Sequence, residues 1–304
     1  MRSLNGFDMP QMGSSYLYCN DLRFHYLSWN LEHGDSSLVM LHGLASNARI
    51  WELLAPYLAE QGFRIYALDQ RGHGLTDKPD GEYSLPAFRG DLLAFLDACQ
   101  LEHPVLVGHS WGGMVALDYA VHHTIGPRAP AGLFLVDGGL IQLNDLPGAT
   151  WETVRDRLTP PQLAGMMMED FLSRIEKWTK MSDDPESAAQ IILANFEIAA
   201  DERITPRLTY ERHMQILRAM WEFPTYEGLR RIRCPIAAVM ALPPEPHSSE
   251  EDEFLELKKH AAVRALEACP DLHIEWMPDT LHDIPLHRPA KLAEYISDFV
   301  NSLD

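Results

Sequence analysis

The segment VLVGHSWGGMVA (residues 105–116) decides the fold. An apolar run ends at Gly108, and an amphipathic helical pattern begins after Ser110. A serine at a sharp strand-to-helix turn needs small neighbours two residues away on each side, and Gly108 and Gly112 meet that need. Such a turn raises the Ser110 hydroxyl at the carboxyl end of a sheet, beside helix N–H groups that can bind an oxyanion.

Further apolar runs predict the rest of a parallel sheet. Each is apolar over nearly its whole length, which is typical of strands buried on both faces. The predicted strands cover residues 37–43, 64–69, 104–109, 132–137, 234–242 and 272–278. Helical patterns lie between or after them, at residues 48–62, 85–100, 112–123, 250–268 and from Pro289 onward. This alternation predicts an α/β fold with right-handed crossovers and helices on both faces.

Two segments depart from the alternation. Residues 16–30 alternate on both sides of a turn signal at Asn20-Asp21, which predicts an antiparallel hairpin at the edge of the sheet. Residues 150–228 are expected to be almost entirely helical, with an unusual content of methionine and aromatic side chains. We therefore predict a helical insertion into the α/β core.

Composition excludes several classes of function. The chain has 304 residues and a net charge of −19, which disfavours nucleic acid and anionic membranes as partners. We find no signal peptide and no apolar run long enough to span a membrane, so we expect a cytoplasmic protein. The four cysteines are scattered and the histidines lack companions at ligand spacing, so we expect neither a metal nor a cofactor.

Four motifs in order along the chain resemble those of the α/β-hydrolase fold family. They are Leu41-His42-Gly43-Leu44, Asp69-Gln70-Arg71-Gly72-His73-Gly74, Gly108-His109-Ser110-Trp111-Gly112-Gly113 and Leu281-His282-Asp283. The resemblance implies a mostly parallel eight-stranded sheet with helices on both faces and an inserted helical cap. Its boundaries would be core at residues 1–139, cap at 140–230 and core again at 231–304.

The resemblance also implies roles for single residues. Ser110 would be the nucleophile and His282 the base that activates it. The backbone N–H groups of Leu44 and Trp111 would form the oxyanion hole. We interpret His42, His73 and His109 as architectural residues.

The third catalytic residue is where the sequence departs from the commonest family pattern. The place after the strand CPIAAVMAL (234–242) reads Ala-Leu-Pro-Pro-Glu-Pro and has no aspartate. Our first choice for the acid is Asp137, one strand earlier, as in a minority of the family. Glu245 is the alternative, and Asp252, Asp283, a dyad or no competent acid remain open.

The serine nucleophile indicates acyl transfer to water. We expect a serine hydrolase of the carboxylesterase type that acts on a small or medium hydrophobic ester, lactone or thioester. One alternative is a carbon–carbon bond hydrolase, for which Arg207, Arg212 or Arg218 would bind a substrate carboxylate. The other is a ligand-binding protein without catalytic activity.

Overall fold

The computed structural model describes residues 11–32, 34 and 36–303, apart from the side chain of Glu250. Eight strands form one sheet: β1 (Gly13–Cys19), β2 (Leu22–Trp29), β3 (Ser37–Leu41), β4 (Arg64–Leu68), β5 (Val105–His109), β6 (Gly132–Val136), β9 (Ile236–Ala241) and β10 (His273–Met277). Two further strands, β7 (Phe196–Ile198) and β8 (Ile204–Pro206), pair separately. The predicted eight-stranded sheet is confirmed.

Strand order determines which loops meet at the carboxyl edge of the sheet. The order is β1-β2-β4-β3-β5-β6-β9-β10, with β1 and β2 forming an antiparallel hairpin and the pairs from β4 to β10 parallel. Because β3 and β6 flank β5, the loops after these two strands lie on either side of the turn that follows β5. Leu44 follows β3, Ser110 follows β5, and Asp137 follows β6.

Helices cover both faces of the sheet. In chain order they are α1 (Ala55–Glu60), α2 (Leu85–Ala98), α3 (Trp111–His122), α4 (Trp151–Leu158), α5 (Met168–Thr179), α6 (Pro185–Leu193), α7 (Tyr210–Glu222), α8 (Thr225–Arg231), α9 (Ser249–Ala268), α10 (Ile284–His287) and α11 (Pro289–Asn301). The sequence of β3 is apolar throughout because its side chains pack alternately into two hydrophobic cores. Val39 and Leu41 pack into one core, and Leu38 and Met40 pack into the other. Strands β3, β4, β5, β6 and β9 are buried on both faces, as predicted, whereas the edge strand β10 is largely half-buried, contrary to the prediction.

Two regions differ in detail from the predictions. The helical pattern at 48–62 is split into a short 3₁₀ turn, Ala48–Trp51, and helix α1, with Pro56 in the first turn of the new helix, where its missing N–H costs nothing. The segment between β6 and β9 is not purely helical, because β7 and β8 form a small hairpin. Strands of three residues are too short to show alternation in a sequence.

Within the described residues, no helix combines the length and the apolar character needed to cross a membrane.

The packing of helix α3 onto the sheet predicts opposite effects for two helical glycines. A Cβ on Gly112 would lie 2.1 Å from the Leu41 carbonyl oxygen, whereas a Cβ on Gly90 in α2 would have its nearest neighbour 4.0 Å away. We expect Gly112→Ala to lower the free energy of unfolding by about 1–3 kcal/mol, because backbone cannot move aside cheaply. Gly90→Ala should raise it by about 0.5–1 kcal/mol. Urea unfolding followed by circular dichroism measures both changes, and equal stabilities would contradict the close packing of α3.

Candidate active site

The turn after β5 holds Ser110 in a backbone conformation that few residues adopt. Ser110 has φ 52° and ψ −119°, and its N–H donates to the Val136 carbonyl oxygen at 3.0 Å. Neighbouring backbone leaves no room for larger residues: a Cβ on Gly138 would lie 2.3 Å from the Ser110 carbonyl oxygen. The glycines around Ser110 are therefore needed on both sides of the turn.

Asp137 begins the loop after β6, on the strand next to that of Ser110. Its N–H donates to the Val239 carbonyl oxygen at 2.8 Å, and its φ of 42° turns the chain away from the sheet. The carboxylate is fully buried and accepts hydrogen bonds from the Ala241 N–H at 2.9 Å and from His282 Nδ1 at 2.7 Å. The structure thus brings together Asp137 and His282, which lie 145 residues apart in the sequence.

His282 lies in the loop after β10, and 43% of its side chain is exposed. Because Nδ1 faces a carboxylate, we assign the proton to Nδ1, which leaves the Nε2 lone pair free to accept a proton. His109 Nε2 donates to the His282 carbonyl oxygen at 2.9 Å and so holds the loop. Within the described chain the Ser110 hydroxyl makes no hydrogen bond to His282, and both side chains line one cavity. Such hydrogen bonds often tighten only in the substrate complex.

The charges around His282 set its proton affinity. Partial burial lowers the pKa of His282, but the hydrogen bond and negative charge of Asp137, with a contribution from Asp283, raise it above the ordinary value of 6.5. Burial by itself would raise the pKa of Asp137, yet its bonds to His282 and Lys258 hold that pKa well below the usual range. His109 differs, since burial and the neighbouring His282 lower its pKa to about 4.

Lys258 is a site residue that the sequence reasoning missed. Its Nζ lies 2.7 Å from each carboxylate oxygen of Asp137 and 3.2 Å from the Ala241 carbonyl oxygen. Among the residues that the structure describes, it is the only lysine or arginine classed as buried, with 5% exposure. The sequence does contain a pattern that indicates burial of Lys258, because Lys258 falls on the apolar face of α9 with Leu255, Ala261 and Ala265.

The other carboxylates considered for the acid lie elsewhere. Glu245 is exposed, and Asp252 pairs with His247 at 3.0 Å. Asp283 is adjacent to His282 in the chain and lies 3.9 Å from His109 Nε2. Of these groups, only Asp137 hydrogen-bonds the imidazole of His282.

The N–H groups of Leu44 and Trp111 are available to a ligand. Trp111 is the first residue of α3, and the loop before Leu44 touches the elbow, since a Cβ on Gly43 would lie 3.1 Å from Ser110 Cβ. Across residues 11–32, 34 and 36–303, neither N–H donates a hydrogen bond to the protein. Two free donors near a serine hydroxyl suit a developing oxyanion.

Ser110, Asp137 and His282 line one cavity of about 410 Å³. Its wall is mainly apolar and includes Met114, Leu140, Ile141, Val154, Met220 and Met240. Arg157 and Glu253 also line it and form an ion pair at 3.4 Å. A larger groove of about 910 Å³ lies near the amino ends of β9 and β10 and contains none of these site residues. The chemistry and the apolar cavity therefore coincide at the carboxyl edge of the sheet.

Few of the methionine and aromatic residues between 150 and 228 line this cavity. Met220 does, whereas Trp178 and Phe196 line a separate cavity of about 570 Å³. The three arginines considered for a substrate carboxylate are also elsewhere, each with its own partner. Arg207 pairs with Glu197, Arg212 donates to the Lys78 carbonyl oxygen, and Arg218 pairs with Glu222.

The geometry predicts well-separated pKa values for the adjacent imidazoles of His282 and His109. His282 should take up a proton at a pH above 6.5 as the pH falls, whereas His109 should stay neutral to about pH 4. Asp137→Asn should lower the pKa of His282, because the negative charge beside Nδ1 is lost. NMR titration of ring ¹³C–¹H signals, assigned with His282→Gln and His109→Gln, measures both values. An unchanged His282 titration in Asp137→Asn would contradict the observed hydrogen bond.

Comparison with known proteins agrees with this architecture. A family model described as the alpha/beta hydrolase fold matches residues 37–177. AB hydrolase superfamily protein YfhM of Bacillus subtilis is 23% identical over 97% of this chain and its own full length. Bifunctional epoxide hydrolase 2 of Sus scrofa is 34% identical over 37% of this chain and 20% of that protein. The solved structure of E-2-(acetamidomethylene)succinate hydrolase has a TM-score of 0.74 at 18% identity, covering 96% of this chain and 100% of that one.

The strand order, the strained serine turn after β5 and the family match agree with one another. The chain has the α/β-hydrolase fold.

Proposed function

We propose that the protein is a serine hydrolase that cleaves a small or medium hydrophobic carboxylic ester, lactone or thioester through an acyl-enzyme. Ser110 is the nucleophile, His282 the general base and Asp137 the acid. The observation that carries the proposal is the hydrogen bond of 2.7 Å from His282 Nδ1 to the buried Asp137, with Nε2 left free in the cavity that Ser110 also lines. This is the arrangement by which a histidine is held ready to accept a serine proton.

The reaction proceeds in two halves. His282 Nε2 takes the Ser110 proton while Oγ bonds to the substrate carbonyl carbon, and the oxyanion accepts hydrogen bonds from the Leu44 and Trp111 N–H groups. The intermediate collapses, the proton passes from His282 to the leaving alcohol or thiol, and an acyl-Ser110 ester remains. Water then repeats the sequence, giving the carboxylic acid and free Ser110.

The cavity supports an apolar substrate of limited size. Its wall carries methionine, leucine, isoleucine and valine side chains, which favour an apolar acyl or alcohol group and adapt to its shape. Residues 140–230 act as a cap in this proposal, because Leu140, Val154 and Met220 close the cavity over Ser110. The volume of about 410 Å³ favours short and medium chains over long ones.

Two related chemistries receive less support. Epoxide hydrolases of this family use a carboxylate nucleophile, and this chain has Ser110 at that position. A carbon–carbon bond hydrolase would need a cation for the substrate carboxylate. Of the basic residues that line the cavity, Lys258 is bound to Asp137 and Arg157 is paired with Glu253.

The first test is covalent labelling by a fluorophosphonate. We expect one label per chain in the wild type and none in Ser110→Ala, measured by intact mass. Ser14→Ala is a matched control, because Ser14 belongs to another Ser-His-Asp set. Its Oγ lies 2.9 Å from Nε2 of His25, and Nδ1 of His25 bonds Asp69. This control should label like the wild type.

Since His282 must be neutral to act, the labelling rate should fall as the pH drops through a midpoint above 6.5. No label on a folded wild type would reject the proposal in favour of a binding protein.

The second test separates the two candidate acids on a panel of p-nitrophenyl esters. Asp137→Asn should lower kcat by about 10³- to 10⁴-fold, because the imidazolium loses its charge partner. Glu245→Gln should retain wild-type turnover, since Glu245 is exposed. The reverse result, with Asp137→Asn active and Glu245→Gln inactive, would move the acid to Glu245.

A further inference from the structure

We propose that Lys258 is a positioning residue of the hydrolytic site. Its ammonium group fixes the carboxylate of Asp137 and offsets part of the negative charge that His282 faces. The imidazole is thereby kept unprotonated and able to act as a base. This inference rests on the proposed function of Ser110, His282 and Asp137.

The contacts of Lys258 leave it no other ligand. An ammonium group has three donors, and here they meet the two oxygens of Asp137 at 2.7 Å each and the Ala241 carbonyl oxygen at 3.2 Å. With every donor used inside the protein, Lys258 is not a free cation for an anionic substrate. Its position beside the cavity therefore concerns the catalytic acid and not substrate charge.

Burial makes this contact more than a surface ion pair. The Asp137 side chain is fully buried and that of Lys258 is 6% exposed, so solvent screens the pair poorly. The positive charge of Lys258 therefore acts on His282 as well as on Asp137, and it opposes protonation of the imidazole. The Ala241 N–H on Oδ1 together with Lys258 fixes the plane of the carboxylate so that Oδ2 meets His282.

The charged and titratable groups that face His282 come from every element around it. Asp137 Oδ2 approaches from the end of β6, and Asp283 is its neighbour in the loop. The ring of His109, at the end of β5, lies 4.8 Å away between centroids and is neutral above about pH 4. Lys258 from α9 is the cation of this group, and it acts to lower the pKa of His282 against the two carboxylates.

The test compares variants of two adjacent lysines on α9. Lys258→Met and Lys258→Gln remove the charge, the second keeping a hydrogen-bond donor, and Lys258→Arg retains it. Lys259→Met is the matched control, because Lys259 is exposed and, among the side chains that the structure describes, pairs with Glu256 alone. Two quantities are measured on the full chain: the rate of Ser110 labelling by a fluorophosphonate between pH 5 and 9, and the NMR titration of His282. Thermal unfolding checks that each variant is folded.

We expect both neutral variants to move the acidic limb of labelling and the His282 titration up by about one pH unit. Labelling at pH 6 then falls about tenfold, with a much smaller change at pH 9. Lys258→Arg and Lys259→Met should keep the wild-type midpoint. If Lys258 only packs α9, the rate falls by the same factor at every pH and the titration does not move, which overturns the inference.

Failure of the proposed function gives a different result. In that case the wild type is not labelled at Ser110, while the His282 titration in Lys258→Met and Lys258→Gln still reports whether Lys258 acts on the imidazole. If Lys258→Met does not fold, Lys258→Gln decides the outcome, because its amide can still donate to Asp137. An unmoved titration in a folded Lys258→Gln variant overturns the role of Lys258 whatever the labelling result.

Discussion

The buried carboxylate of Asp137 is the constraint on which the rest of the site depends. A charge removed from water is tolerated only when donors and opposite charge surround it. Here the donors come from β9 through Ala241, from α9 through Lys258 and from the last loop through His282. One carboxylate therefore binds three elements of the second part of the core, and its partners lie 104, 121 and 145 residues after it in the sequence.

Close backbone packing at the end of β5 is the second constraint. Ser110 adopts a positive φ, and its neighbours Gly112 and Gly138 let the β3 and β6 loops approach within distances that exclude a Cβ. The strand order puts Leu44 on the β3 side of the serine and Asp137 on the β6 side. The strain of the turn is compensated by the sheet, whose strands β3, β5 and β6 around the turn are fully buried.

The sequence was most informative where local pattern and tertiary role coincide. Apolar runs and the elbow glycines predicted the sheet and its helices, and the structure confirms the fold. The small hairpin of β7 and β8 was missed, because three residues carry no measurable period. Asp137 and Glu245 could not be separated from sequence, because each follows a strand and only the fold decides which carboxylate turns toward His282. Lys258 was missed because a lysine within an acidic helical segment is usually exposed to solvent. Only its position on the same helix face as Leu255, Ala261 and Ala265 indicates that it is buried.

Helix α9 contacts both the buried Asp137 and helix α4, and α4 contributes Val154 and Arg157 to the cavity wall. Lys258 contacts Asp137 in a buried pair, while Glu253, five residues earlier on the same helix, pairs with Arg157 of α4 at 3.4 Å. The second pair is exposed, and exposed pairs contribute about 0–1 kcal/mol, whereas breaking a buried pair by removing one partner costs about 3–5 kcal/mol. Separation of α4 from α9 would thus break the weak contact and leave the strong one intact. Contact of α9 with α4 beside the cavity and contact of α9 with Asp137 therefore depend on different side chains, although one helix carries both.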